Sequence, residues 1–112
     1  MTESTKQLES NVLNVAKSIE KLTTFDDYLK NKVLEIIYKT DESLGFIGAE
    51  LLVAYGGPTV VINTQKNTVQ GTWALDNYEV SYSNSSLENH LELKYNTKLN
   101  SLLATNSMRR IK

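Results

Sequence analysis

The sequence predicts an α+β domain with two N-terminal helices, a four-stranded antiparallel β-meander and a C-terminal helix. Three observations indicate this class. Apolar residues recur at three- and four-residue steps in residues 1–40, and the same spacing returns in residues 85–104. Between them, residues 46–82 are rich in β-branched and aromatic side chains that alternate with polar ones. A chain of 112 residues fits one domain, so we expect a single core over residues 1–112.

The first predicted helix covers residues 4–22, and Thr2 and Ser4 are alternative N-cap residues. Its charged residues fall largely outside one apolar stripe, as expected of a helix that packs on a core. That stripe consists of Leu8, Val12, Val15, Ala16, Ile19 and Leu22.

A second helix is predicted after Thr23-Thr24, which completes a helical pair within residues 1–40. Asp26 and Asp27 fall in its first turn, where the helix dipole favours acidic side chains. Because the joint is short, the two helices are expected to form a hairpin or a bent pair. The predicted apolar stripe of this helix is Phe25, Tyr28, Leu29, Val33, Ile36 and Ile37.

The predicted sheet consists of short strands separated by turn residues. Gly56-Gly57-Pro58 is typical of a turn because glycine permits positive φ and proline fixes φ. Polar residues also mark turns at residues 65–67 and at Asp76-Asn77. Tight connections of this kind favour an antiparallel meander. The four predicted strands cover residues 46–55, 59–64, 68–75 and 78–82.

The last predicted helix covers residues 85–104, and residues 105–112 are expected to form a mobile tail. Ser85 precedes Glu88 by three residues, which is the spacing of a capping box. Apolar residues then follow at helical spacing, so this helix is expected to cover one face of the sheet.

Catalytic and metal-binding chemistry is weakly represented. The chain has no cysteine, which excludes disulfides and thiolate metal sites. His90 is the only histidine, and of its charged neighbours only Lys94 shares its helical face at the ideal offset. We therefore interpret His90 as a surface or partly buried helix residue. No catalytic residue, metal ligand or cofactor is predicted.

Four aromatic residues of the sheet allow two interpretations. Trp73, Tyr78 and Tyr82 fit alternating patterns, which favours an ordinary core, and Tyr55 lies beside the Gly56-Gly57-Pro58 turn. Aromatic side chains also form hot spots at interfaces and stack on bases. The balance moves towards an interface if one sheet face lacks a helix.

Two segments together resemble a pattern in small proteins of Gram-positive phages and mobile elements. They are Ala54 to Thr64, which begins Ala-Tyr-Gly-Gly-Pro-Thr, and the strand residues Gly71-Thr72-Trp73. Some of those proteins resemble anti-CRISPR proteins, which bind and block a host defence nuclease. The resemblance covers about residues 50–80, and Ala74-Leu75 departs from the pattern, in which glycine follows the tryptophan.

The resemblance implies a non-enzymatic inhibitor that acts by steric occlusion of a bacterial defence protein, with a CRISPR-Cas nuclease as the expected target. The host bacterial cytoplasm is the expected location, and no signal peptide is recognised. A dimer through an uncovered edge strand is one alternative for the oligomeric state. The candidate partner-binding residues are Asp76, Asn77, Tyr78, Glu79 and Tyr82.

Two other functions stay open. Residues 84–112 carry five basic and two acidic side chains, so a nucleic-acid-binding or regulatory module is the alternative hypothesis, with Arg109, Arg110 and Lys112 as phosphate contacts. A net charge of −1 does not favour nucleic acid. A small enzyme with a helix–sheet cleft is the third hypothesis. No apolar run approaches the roughly 20 residues of a membrane span, so no membrane association is expected.

Overall fold

The computed structural model describes the backbone of residues 3–111 and the side chains of residues 6–103. Within this part of the chain the fold is α+β, as predicted, with three helices and a five-stranded antiparallel sheet. The elements in chain order are α1 (Glu3–Glu20), α2 (Phe25–Asn31), β1 (Glu35–Thr40), β2 (Phe46–Ala54), β3 (Thr59–Asn63), β4 (Thr68–Trp73), β5 (Asp76–Ser81) and α3 (Ser85–Ile111).

The sheet is a meander in which each strand pairs with the next, in the order β1-β2-β3-β4-β5. The predicted antiparallel pairing is confirmed, but the prediction of four strands is wrong by one. β1 and β5 are consequently the two edges of the sheet. The chain has no crossover connection here because every strand is joined to its neighbour by a short turn or loop.

The extra strand comes from the second half of the predicted second helix. α2 has only seven residues, and Ile36 and Ile37 lie in β1 instead of on a helical stripe. Ile36 and Tyr38 pack towards the core whereas Ile37 is exposed, which is the period-two pattern of a strand. Pairing of β1 with β2, for example Tyr38 opposite Ala49, favours this strand over a longer helix.

The last hairpin turns two residues earlier than predicted. Asp76 is not a turn residue, because it pairs with Trp73 across β4 and β5. The turn consists of Ala74 and Leu75, which the prediction placed in a strand. Ala74 has a φ of 56°, a conformation that usually favours glycine, and the side chain of Leu75 is 96% exposed.

The helices pack on one face of the sheet. α1 lies across β4 and β5, and α3 lies against β2. Gly71 marks the closest approach of α1, since a Cβ added there would lie 2.8 Å from the Leu8 Cδ1 atom and would also clash with Val12. The fully buried side chains of this core include Leu8, Val12, Ile19, Leu51, Val60, Ile62, Val69, Leu87 and Leu91.

Asn84 joins the end of α1 to the start of α3. Its Oδ1 atom accepts a hydrogen bond from the Leu87 N–H at 3.2 Å, and its Nδ2 atom donates to the Ile19 carbonyl at 2.7 Å. Asn84 therefore acts as the N-cap residue, a role that the sequence assigned to Ser85. The N-cap of α3 also satisfies carbonyl groups at the end of α1.

α3 continues to Ile111, past the predicted helix end at residue 104. The side chains of Arg109 and Arg110, and all of Lys112, lie outside the described residues. The phosphate contacts predicted for these residues stay a prediction.

Candidate protein-binding face

The sheet face opposite the helices exposes alternating side chains. In β4 and β5, Val69, Gly71 and Tyr78 lie towards the helices, so their neighbours in sequence lie on the other face. A groove of ≈ 510 Å³ lies on that face. We use the name open face for seven of the strand residues that line this groove, namely Glu50, Thr59, Val61, Gln70, Thr72, Asn77 and Glu79.

Cross-strand hydrogen bonds join the side chains of β4 and β5 on the open face. Gln70 lies opposite Glu79, and its Nε2 atom donates to Glu79 Oε1 at 2.6 Å. Thr72 lies opposite Asn77, and its hydroxyl donates to Asn77 Oδ1 at 3.2 Å. These side chains are ordered before any partner arrives, which lowers the entropy lost on binding.

The charged residues of the open face are acidic. Glu50 forms an ion pair with Lys39 at 3.1 Å, so its charge is largely compensated. Glu79 accepts a hydrogen bond from a neutral amide and places its carboxylate at the β5 side of the groove. A ligand for this face is therefore expected to bring a cation or a hydrogen-bond donor to Glu79.

The five residues predicted to bind a partner divide between the two faces. Asn77 and Glu79 lie on the open face. Tyr78 packs partly buried against the core, and Tyr82 is only 5% exposed within it. Asp76 begins β5, directly after the Ala74-Leu75 turn. The structure therefore brings Asn77 and Glu79 together on the open face, whereas Tyr78 borders the groove from a position partly buried against the core and Tyr82 lies inside the core.

Tyr82 is an ordinary core residue with one unusual feature. Its hydroxyl is buried and has no hydrogen-bond partner among the described residues. Burial, and to a smaller extent the neighbouring Glu88 carboxylate, raises the pKa of Tyr82 to about 12. Of the four aromatic residues considered above, Tyr55 is the one on the surface, with 79% of its area exposed.

Gln70, Thr72 and Thr59 are functional candidates that sequence reasoning missed. The signal was present for Gln70 and Thr72, because they alternate with Val69 and Gly71 along one strand. Their significance depends on the register of β4 against β5, which places them opposite Glu79 and Asn77. A hairpin turn at Ala74-Leu75, instead of Asp76-Asn77, fixes that register.

His90 has a partner that its own helix does not supply. Its Nε2 atom lies 2.9 Å from Asp26 Oδ1, and Lys94 Nζ lies 3.1 Å from the same oxygen. The Phe25 and His90 ring centroids are 5.2 Å apart. The hydrogen bond from His90, followed by that from Lys94, holds the pKa of the Asp26 carboxyl below its usual range. This arrangement links the start of α2 to α3.

Comparison of the chain with family models, with curated proteins and with solved structures gives no match. Among the side chains that the structure describes, no group of three or more histidine or carboxylate residues is placed to hold a metal ion. The described helices include none whose length and apolar character would let it cross a membrane.

Proposed function

We propose that this chain is a non-enzymatic binding protein that occupies the surface of another protein through its open face. The observation that carries this proposal is a polar groove on strands whose side chains are already hydrogen-bonded in position. Rigid strands hold binding side chains more accurately than loops do. Burial of the open face against a partner would also remove Val61 from water.

The chemistry of the face indicates the partner surface. Glu79 carries an uncompensated negative charge, whereas Glu50 is paired with Lys39. A basic partner surface is complementary to this arrangement, and nucleic-acid-binding proteins carry such surfaces. The resemblance of residues 50–80 to phage proteins makes a CRISPR-Cas nuclease in the host cytoplasm our proposed target. Inhibition would follow from steric occlusion.

The test is direct binding of the purified chain to a panel of type II CRISPR nucleases, together with a phage-protection assay. Glu79→Lys should weaken binding by about tenfold, which corresponds to about 1.4 kcal/mol. Glu20→Lys on α1 introduces the same charge change away from the open face and is the matched control. Absence of binding and protection across the panel would reject the target class. Equal effects of the two substitutions would reject the open face.

The alternative function is nucleic-acid binding by α3. One observation favours it, a cleft of ≈ 660 Å³ to which α3 contributes Lys98 together with His90 and Lys94, the last two of which are paired with Asp26 at the same cleft. Such binding would depend strongly on salt, because cations released from phosphates drive it. A mobility shift with DNA or RNA at low salt would support this function, and no shift under those conditions would reject it.

A further inference from the structure

The free edge of β1 has backbone groups that the sheet does not use. Ala49 donates its N–H to Thr64 Oγ1 and accepts from the Thr64 N–H, so its polar groups point towards β3. Tyr38 lies opposite Ala49 in a pair whose backbone groups face away from each other. The N–H and C=O groups of Tyr38, and of Ile36 two residues earlier, therefore point away from the sheet. An edge of this kind is a template for a further strand.

The side chains of β1 on the open side of the sheet are self-complementary. Glu35, Ile37 and Lys39 alternate along the strand and share one face. Ile37 is 49% exposed, and Glu35 makes no ion pair with the described residues. If a second β1 runs antiparallel with Ile37 opposite Ile37, each Glu35 lies opposite a Lys39, which also pairs with Glu50 of its own copy. Opposite charges at directly facing positions stabilise a strand pair.

We propose that two copies of this chain pair through β1, antiparallel and with a two-fold axis at Ile37, so that their sheets become continuous. In this register Ile36 faces the partner subunit's Tyr38, and the free backbone groups of both residues are satisfied. The exposed Ile37 side chains of the two copies contact each other at the axis. This inference goes beyond the proposed function, because it concerns a different edge of the sheet and requires no other protein.

Charge distinguishes this edge from the other one. β5 carries Asp76 and Glu79 and no basic residue, so every antiparallel self-pairing of β5 lacks an attractive ion pair. β1 carries one acid and one base at symmetric positions around Ile37. Tyr38 and α3 also border an open cleft of ≈ 660 Å³ on the inner side of β1.

The pairing can be measured by sedimentation equilibrium of the full chain over a range of concentrations. The wild-type chain should show a concentration-dependent mass that rises from 12.6 kDa towards twice that value. Ile37→Lys places two positive charges on the axis and should keep the chain monomeric. Glu35→Lys and Lys39→Glu should each weaken self-association by about tenfold or more, because each places like charges opposite each other.

Mixing the two charge variants provides the decisive experiment. A chain with Glu35→Lys and a chain with Lys39→Glu are complementary at both facing positions, so the mixture should dimerise although neither variant does so alone. Glu20→Lys on α1 should dimerise as the wild type does. Circular dichroism of each variant checks the fold, because Lys39→Glu also removes the ion pair with Glu50.

Two results would overturn the pairing. One is a wild-type chain that stays monomeric up to about 1 mM, since a dissociation constant of that size corresponds to a binding free energy of only about −4.1 kcal/mol. The other is a mixture of the folded charge variants that stays monomeric while the wild type dimerises. Neither measurement includes a nuclease, so failure of the pairing and failure of the proposed function are distinguishable.

Discussion

Replacement of Asn84 by alanine tests how the two long helices are joined. The substitution removes the side-chain acceptor of the Leu87 N–H, which keeps the Asn84 backbone carbonyl at 3.2 Å. It also removes the donor to the carbonyl groups of Ile19 and Leu22, at 2.7 and 3.3 Å. Loss of an N-cap costs about 1 kcal/mol. Loss of the bond to Ile19 costs about 1 kcal/mol more. We therefore expect Asn84→Ala to lower the free energy of unfolding by about 2 kcal/mol.

Urea denaturation followed by circular dichroism measures this change, with the slope of the transition expected to stay constant. Asn84→Asp separates the two halves of the role, because it keeps the cap acceptor and loses the donor, so its cost should be about 1 kcal/mol. Ser85→Ala is the matched control and should be nearly neutral, since the exposed Ser85 is not the N-cap. The reasoning fails if Ser85→Ala destabilises more than Asn84→Ala.

Three further substitutions test the interior and the last turn. Thr64→Val leaves the buried Ala49 N–H without its acceptor at 2.8 Å and should lower the free energy of unfolding by about 1–3 kcal/mol, measured by urea denaturation. Thr64→Ser keeps the hydroxyl and should cost less. Equal costs of the two substitutions would contradict a role for the hydroxyl. Ala74→Gly should raise the free energy of unfolding by about 1 kcal/mol, because glycine adopts a φ of 56° without strain. A lower free energy of unfolding for this variant would refute the strain at Ala74. In the wild type, unfolded Tyr82 ionises at its ordinary pKa of 10.0 while folded Tyr82 keeps its proton, so stability should fall as pH rises from 10.0 towards about 12. Tyr82→Phe should flatten this fall, as measured by thermal unfolding at each pH, and an unchanged slope would contradict the assignment.

The sequence predicts the parts of the fold that depend on local pattern. The α1 stripe of Leu8, Val12, Ala16 and Ile19 is buried as the helical period requires. The α+β class and the antiparallel order follow from similarly strong patterns. β1 was missed because Ile36 and Ile37 also fit a helical stripe, and the competing pattern becomes decisive only when β2 supplies a pairing partner.

The position of the last hairpin turn was predicted wrongly because the prediction relied on local turn preference. Asp76-Asn77 has a stronger intrinsic turn preference than Ala74-Leu75. The structure nevertheless turns at Ala74, and the register from Trp73 opposite Asp76 places Val69 opposite Val80 on the core side. This register forms despite a positive φ at one alanine, a conformation that costs about 1–2 kcal/mol.

The candidate site was only half predictable because it depends on which sheet face the helices leave open. Alternation in the predicted strand 78–82 separates Glu79 from Tyr78 and Tyr82 and favours the core for both tyrosines, but Asn77 was expected in a turn, and nothing in the local pattern indicates that α1 covers the tyrosine side. The His90 contact has the same origin. Its partner Asp26 lies 64 residues earlier in the chain, and only the packing of α2 beside α3 brings them together.

Pairing through β1 would place the open faces of the two copies on the same side of the joined sheet. A two-fold axis that pairs β1 with a second β1 is perpendicular to the sheet, because facing residues of an antiparallel pair point to the same side. Ile37 and Glu79 lie on the same side of the sheet. Pairing therefore places both open faces on one side of a continuous sheet and all helices on the other. A partner with two basic sites at matching separation would bind such a pair more tightly than a single copy, since the second contact becomes intramolecular. The edge strand β1, which local sequence patterns did not reveal, thus determines whether a partner meets one open face or two.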